Sequence, residues 1–359
     1  MNNVFSQNFH NFFRRNETEL HILNYLFWEA TWRCNLNCRH CGSDCKANSI
    51  FPDMPFDDFL KAIQPLKTAY PRNSILVVIM GGEPLLRKDL AECGKKLRDE
   101  GFRWSIVTNG YAYDKAMHAK LVSAGMGSIT VSLDGLEENH NWLRNNPKSF
   151  ERAVKALELI VDCPRLNYDA VTCVHQKNLA ELPGLKEFLI SKKIKNWRIF
   201  TVAPIGRAAE NPEMLLSNEQ TRQLMDFIAG TRKNDKRINL YFSCESYTGK
   251  YEKQVRDSYF FCRAGVNIGS VLIDGSISAC PNIDRRFVQG NIYKDNLLDV
   301  WENRFDVMRN RSWCKTGICK NCRDFKLCNG GDMHLWSPQQ DGILSCVKNK
   351  INNLKTLNN

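Results

Sequence analysis

Six times between residues 22 and 230 the chain repeats one pattern, a short apolar run followed by a stretch with helical spacing of its apolar side chains. This repeat limits the fold more than any composition figure, because each strand–helix–strand crossover returns the chain to the same parallel sheet. The predicted strands cover 21–28, 74–80, 104–107, 128–133, 167–174 and 196–202. The predicted helices cover 56–66, 89–98, 112–123, 150–161, 180–191 and 218–228. Ser74-Ile75-Leu76-Val77-Val78-Ile79-Met80 is almost unbroken in apolar residues, as a strand buried on both faces requires. Six units fall short of the eight that close a full barrel. The expected fold is therefore α/β, a partial (β/α)6 TIM-type barrel over 20–232 behind an N-terminal arm, 1–19. In such folds the chemistry sits on loops at the carboxyl ends of the strands.

The first of these loops holds Cys34-Asn35-Leu36-Asn37-Cys38-Arg39-His40-Cys41, three cysteines spaced C-x3-C-x2-C. Thiolates crowded on one loop favour a soft metal. Iron–sulfur cubes normally take four Cys, so three leave one iron open to a small molecule. A structural zinc site is the competing reading, but it usually pairs C-x2-4-C with a second pair, and none stands nearby. The next three loops carry Gly81-Gly82-Glu83-Pro84, Thr108-Asn109-Gly110, and Ser132 with Asp134-Gly135. Each alone reads as a strand-end turn. Their shared rim makes them a candidate site, where paired Gly let backbone approach a ligand closely.

Composition narrows the setting. No run approaches the ~18 apolar residues of a membrane span. The first fifteen residues lack the basic-then-apolar order of a signal peptide, so a cytoplasmic location is expected. In a reducing compartment, fifteen Cys point to metal ligation or catalysis rather than to disulfides. The net charge of +11 suits an acidic peptide, a nucleic acid, an anionic membrane surface or an acidic electron donor. No dense Lys/Arg block appears, so the charge reads as a dispersed basic surface, with no nucleic-acid partner expected.

After residue 232 the texture changes to short strands, turns and Cys, with one helix over 297–308. This region, 233–359, has too little apolar periodicity for a core of its own, so bound metals are expected to stabilise it.

With both regions in view, the sequence resembles a radical S-adenosylmethionine (radical SAM) enzyme carrying a SPASM-type auxiliary-cluster domain. The resemblance implies that Cys34, Cys38 and Cys41 ligate a [4Fe-4S] cluster whose fourth iron takes the amine and carboxylate of SAM. His40 fills the aromatic-type position before the last Cys. Gly81, Gly82, Glu83 and Pro84 form the motif that receives the SAM amino group. Asn109, Ser132 and Asp134 stand where the family contacts SAM's methionine and ribose, and Arg144 where it pairs with the SAM carboxylate. In the tail, Cys262-x12-Gly275-x4-Cys280, Cys319-x2-Cys322-x5-Cys328 and Cys346 match most of the SPASM pattern, with a zinc ribbon as the rival. By the same resemblance Cys319, Cys322, Cys328 and Cys346 hold one auxiliary cluster, and Cys262 and Cys280 belong to the other. Where the pattern continues with a further Cys, this chain has Asp332. A carboxylate is a harder donor than a thiolate. Asp332 is expected to ligate the first auxiliary cluster, or else Cys244 or Cys314 to complete it. Cys45, Cys93, Cys163 and Cys173 read as ordinary thiols, Cys45 being the one near the triad.

The implied activity is reductive cleavage of SAM to a 5′-deoxyadenosyl radical, which takes hydrogen from a substrate carbon while auxiliary clusters accept the remaining electron or bind substrate. SPASM enzymes mostly modify peptides or proteins by oxidation, cross-linking or epimerisation. A peptide or protein substrate is therefore expected, with an electron donor such as flavodoxin or ferredoxin. Val202-Ala203-Pro204-Ile205-Gly206-Arg207 resembles a segment of peptide-modifying and cofactor-making relatives. Only about twenty residues precede the barrel, which argues against a separate leader-binding domain. A small cofactor precursor such as a tetrapyrrole is the alternative substrate, and a non-catalytic metal-binding regulator the reading from another class. No general base is named; Glu245, Tyr247 and Asp274 are available.

Overall fold

Long apolar runs become central strands because both of their faces must leave water. In the computed structural model, which describes residues 2–243, 245–337 and 342–352, the six expected units are present. β1 (Tyr25–Thr31), β2 (Leu76–Gly81), β3 (Arg103–Thr108), β4 (Ser128–Ser132), β5 (Asn167–Val174) and β6 (Asn196–Thr201) pair in order, all parallel. β1 begins later than the sequence suggests, because the residues before it follow a helix, α1 (Asn2–Leu20), that occupies the N-terminal arm. The crossover helices are α2 (Phe56–Ile63), α3 (Leu90–Asp99), α4 (Lys115–Ser123), α5 (Ser149–Val161), α6 (Leu182–Ser191) and α7 (Asn218–Asn234). Two of them open on a side-chain cap. Asp114 caps α4 by accepting from the Met117 amide at 2.8 Å, and Ser217 opens α7 with a reciprocal capping box to Gln220.

The sheet does not stop at residue 232. β7 (Asn239–Phe242) extends it beyond β6, and β8 (Ile268–Val271) pairs in parallel with the other edge of β1. β9 (Ser276–Ser278) and β10 (Gly290–Asn291) then add antiparallel strands. The resulting order is β10-β9-β8-β1-β2-β3-β4-β5-β6-β7, with eight parallel strands in one open sheet.

The core follows from this continuity. Trp28 on β1 stacks on Phe59 of α2 with ring centroids 4.5 Å apart, and the Trp197 indole donates to the Thr172 hydroxyl at 2.8 Å. The same buried apolar cluster continues into Val271, Ile277, Val300, Trp301, Phe305 and Met308. The tail thus shares the barrel's core, a route to stability that the weak periodicity of its short strands conceals.

One buried carboxylate joins the two regions. Glu29, 2% exposed, accepts from the Ile273 amide at 2.9 Å, and the Arg285 guanidinium lies 3.4 Å away. Arg285 also pairs with Asp274 at 3.0 Å and lies over the Trp32 ring. Glu29→Ala strands a buried N–H, and urea titration should show a loss of about 1–3 kcal/mol. Glu29→Gln, which keeps an acceptor, should recover most of it.

Candidate active site

The cysteine loop is closed at its base and clamped at its top. At the base the Cys34 amide donates to the Lys46 carbonyl at 2.9 Å, and Arg33 and Lys46 form an isolated parallel bridge. Arg33 is itself fixed by Asp53, whose carboxylate accepts from the guanidinium and, at 2.6 Å, from the Thr31 hydroxyl. At the top Arg207, from the loop after β6, donates through Nε to the Cys38 carbonyl at 2.7 Å and through Nη1 to Asp44 at 2.8 Å. Its amide donates to the Cys41 carbonyl at 3.0 Å. The neighbouring Gly206 has φ +55°, and a Cβ there would lie 2.4 Å from the Cys41 and Gly42 carbonyl oxygens, so this contact requires glycine.

The other rim motifs close around this loop. Gly81 has φ +141° and packs so tightly on β1 that a Cβ would fall 1.9 Å from the Thr31 carbonyl oxygen. Glu83, 1% exposed, accepts from the Leu85 amide at 3.1 Å, the Thr108 hydroxyl at 2.7 Å and the Asn109 amide at 2.8 Å. It braces the second loop against the third. The Asn109 side chain donates to Asn35 at 2.9 Å and accepts from the Tyr111 amide at 2.9 Å. Arg144 donates through Nε to Asp134 at 2.6 Å, with Nη1 3.7 Å from the Cys38 sulfur.

Cys34, Cys38, Cys41, His40, Gly81, Gly82, Asn109, Ser132 and Arg144 thus face one cavity of about 180 Å³. Glu83, Pro84 and Asp134 are buried behind it. The cavity also receives Cys45, Met80 and Arg207. Cys45 stands four residues beyond Cys41, close enough to be noticed in the sequence, whereas Arg207 reaches the loop from 169 positions away and leaves no local signal.

The electrostatics fit a thiolate-bound group. Burial pushes the Cys34 thiol up to about 12 and raises Cys38. A hydrogen bond from Cys45 is the main reason that Cys41 falls to about 5, and it raises Cys45 in turn. Cys34 and Cys38 thus hold protons that a metal must displace. Burial lowers His40 to about 3, and its Nδ1 is shut from solvent with no hydrogen-bond partner among the described residues. Three soft donors, a fixed cation and an orphaned ring nitrogen around one cavity suit an iron–sulfur cluster with a charged organic ligand.

The tail divides its candidate ligands between two places. Cys319, Cys322, Cys328 and Cys346 line one cavity of about 110 Å³, with Tyr247 and Lys348. Burial holds the Cys319 thiol up at about 11 and the Cys328 thiol up at about 12. Asp332 lies elsewhere. Its Oδ1 accepts from the Cys262 thiol at 3.2 Å and faces His334 Nδ1 at 3.1 Å, while Oδ2 accepts from the Glu245 amide at 3.0 Å. Burial would raise the Asp332 carboxyl, but His334 outweighs it and leaves about 2. Cys314 is buried, Cys280 follows β9, and Cys244 lies outside the described residues.

Residues 28–189 match the radical SAM superfamily, and residues 262–323 match an iron–sulfur cluster-binding domain termed SPASM. The chain belongs to the radical SAM superfamily and carries a SPASM domain. It is 27% identical over 334 residues to an Fe-coproporphyrin III synthase of Methanosarcina barkeri, covering 84% of this chain and 81% of that protein. It is also 27% identical over 313 residues to a mycofactocin maturase of Mycolicibacterium smegmatis, covering 86% of this chain and 77% of the relative. Among solved structures, the fold is similar to Streptococcus suis SuiB bound to its precursor peptide SuiA. The TM-score is 0.67 at 18% identity, over 87% of this chain and 73% of that one. The radical SAM and SPASM domains carry with them [4Fe-4S] clusters, SAM-binding and auxiliary, and SAM itself as cofactors, and the chain is an enzyme of this superfamily. No helix among the described residues is long and apolar enough to cross a membrane.

The Asp134–Arg144 pair of this radical SAM protein carries a measurable pH dependence. Burial would raise the Asp134 carboxyl, but Arg144 together with His40, His140 and the Cys173 amide outweighs it and leaves about 2. A depressed carboxyl stabilises the fold above its unfolded pKa of about 4, and that contribution is lost as pH falls to about 2. Arg144→Leu leaves Asp134 buried and unpaired, a cost of about 3–5 kcal/mol. Without Arg144, burial raises the Asp134 carboxyl, so this cost should shrink as acid protonates it, and urea titrations should show a larger loss at about pH 7 than at about pH 5.

Proposed function

We propose that this protein cleaves SAM reductively and uses the resulting radical to modify a peptide or protein by oxidation, cross-linking or epimerisation, in the cytoplasm. The observation that carries the reading is the single cavity shared by Cys34, Cys38 and Cys41 with Gly81, Gly82, Asn109, Ser132 and Arg144. Cys34, Cys38 and Cys41 would hold the cluster, which when reduced would supply one electron to the SAM sulfonium for homolytic C–S cleavage to methionine and a 5′-deoxyadenosyl radical. The chain's own residues do the positioning. Arg144, fixed by Asp134, offers a buried cation for a carboxylate. Asn109, tethered through its amide and its side chain, offers a rigid polar edge. Leu36 and Met80 help exclude water, which protects a radical from competing donors.

The peptidyl reading is supported by the likeness to mycofactocin maturases and to a PqqA peptide cyclase of Rhizobium meliloti. The tetrapyrrole reading has its own support, in the Fe-coproporphyrin III synthase and in an AdoMet-dependent heme synthase of the same archaeon. Anaerobic reconstitution, reduction by dithionite and chromatography of 5′-deoxyadenosine test the common core. Wild-type protein should release it and Cys34→Ala should fall to background; no release from cluster-loaded wild type rejects the enzyme reading. Candidate peptides should speed turnover and change mass, whereas faster turnover with iron coproporphyrin alone favours the second substrate.

For the auxiliary ligands we propose Cys319, Cys322, Cys328 and Cys346 at one cluster and Cys262, Cys280 and Asp332 at the other. Asp332→Ala should lower iron and sulfide content while the share of the cluster held by Cys319, Cys322, Cys328 and Cys346 remains. Unchanged content in Asp332→Ala removes that residue from the ligand set, and Cys314→Ala then tests the remaining described candidate.

A further inference from the structure

Arg311 is a buried cation that no carboxylate balances among the described residues. It is 2% exposed, and its guanidinium donates through Nε to the Met308 carbonyl at 2.8 Å. Nη1 donates to the Gly331 carbonyl at 3.4 Å, and Nη2 to the carbonyls of Cys262 at 2.9 Å and Ala264 at 3.3 Å. Every one of these partners is a neutral carbonyl. Asp332, one residue beyond Gly331, is faced instead by His334 at 3.1 Å. Carbonyl dipoles satisfy the N–H groups but leave the charge itself uncompensated, and an unpaired buried charge is costly. A second cation adds to that cost. Arg14 of α1 donates to the Leu327 carbonyl at 3.1 Å, and its pKa is pushed down first by burial and then by the Arg311 charge. A neutral side chain with the same donors would avoid both penalties, so the charge calls for an anion that no described carboxylate provides.

The backbone around Arg311 indicates where that anion belongs. The guanidinium rests on the Cys262 carbonyl and on the carbonyl just before Asp332, and these two candidate ligands face each other at 3.2 Å. Buried Cys314 stands three residues further on, its amide donating to the Arg311 carbonyl at 3.0 Å. Burial holds the Cys262 thiol up at about 11 and the Cys314 thiol up at about 12, and the Arg311 charge works against burial at both. One cation therefore acts on both thiols of this corner.

We propose that Arg311 is the counter-charge of the iron–sulfur cluster held by Cys262, Cys280 and Asp332, and that it raises the reduction potential of that cluster. The proposal rests on that ligand reading. A thiolate-bound cluster is a net anion, and one-electron reduction adds a further negative charge while no bond or proton moves. A cation fixed beside it favours the reduced state, and does so more strongly in a low-dielectric interior. Arg311 acts through the ligand segments and through its field, so it is a positioning residue for electron acceptance.

The test is a dithionite titration of the reconstituted full chain followed by electron paramagnetic resonance, with Cys262→Ala identifying the signal by its loss. Arg311→Gln keeps donors for the carbonyls and removes the charge. It should make this cluster harder to reduce by about tenfold or more in the equilibrium, which is about 59 mV for one electron. Arg311→Lys keeps the charge and should stay near wild type, and the cluster at Cys34, Cys38 and Cys41 should keep its potential in both. Equal potentials in all three proteins overturn the proposal, as does an equal shift in Arg311→Lys and Arg311→Gln. If Arg311→Gln does not load this site, Arg311→Met repeats the neutral test. Iron lost from the site in both neutral variants but kept in Arg311→Lys supports the counter-charge; equal loss in all three variants makes Arg311 structural and overturns it. Wild-type signals that Cys262→Ala leaves unchanged refute the ligand reading itself, and the proposal falls with it.

Discussion

β1 is hydrogen-bonded along both edges, to β2 through Leu76–Met80 and to β8 through Ile268–Val271, and it runs directly into the cysteine loop. Its position is therefore set from two sides before any ligand is considered. The register with β2 slips between Glu29 and Thr31, as at a bulge. There the Ala30 carbonyl leaves the ladder and accepts from buried Arg87 at 2.8 Å. A bulge re-aims the residues that follow it, and those residues are Arg33 and Cys34. Glu29, on the opposite side of the slip, takes the Ile273 amide of the tail. One strand end thus places the cysteine triad and anchors the SPASM region, which explains why the barrel and the tail share a core.

The strands and crossover helices of the barrel were legible because each carries its own periodicity over a long enough window. β7 and β8 were not legible as sheet members. Each is four residues long, and what makes them strands is the exposed edge of β6 or β1 rather than their own pattern. At the site, the cysteine spacing and the rim motifs could be read because they are local. The roles inside those motifs could not be read in the same way. Glu83 sits in a motif linked to a ligand, yet its carboxylate is spent on Leu85, Thr108 and Asn109. Arg207 contacts Cys38 across 169 positions of sequence, a distance no spacing rule reaches.

Both cysteine sites place one cation against a thiol. At the triad Arg144 stands beside Cys38, 3.7 Å from its sulfur, and the Arg207 clamp holds the loop from above. At the four-cysteine cavity Lys348 comes within 3.8 Å of the Cys322 sulfur and is itself paired with Asp324. The two settings differ in depth, since the Arg144–Asp134 pair is buried and the Lys348–Asp324 pair is partly exposed.

Asp332 extends that contrast to the remaining candidate ligands. Its Oδ2 is occupied by the Glu245 amide, and its own amide donates to the Glu245 carbonyl at 2.6 Å, so the side chain has little freedom to turn. Oδ1 remains, facing both the Cys262 thiol and His334. A metal bound between Cys262 and Asp332 would displace the Cys262 proton and meet a single carboxylate oxygen. The ionised state needed for this is already present, because His334 holds the carboxyl far below the usual range. Exchanging a thiolate for a carboxylate at this position keeps the ligand's charge but removes its softness, so the metal–ligand bond is weaker in its covalent part. Two neighbours offset the difference by fixing geometry: the Glu245 backbone orients the carboxylate, and His334 keeps it charged.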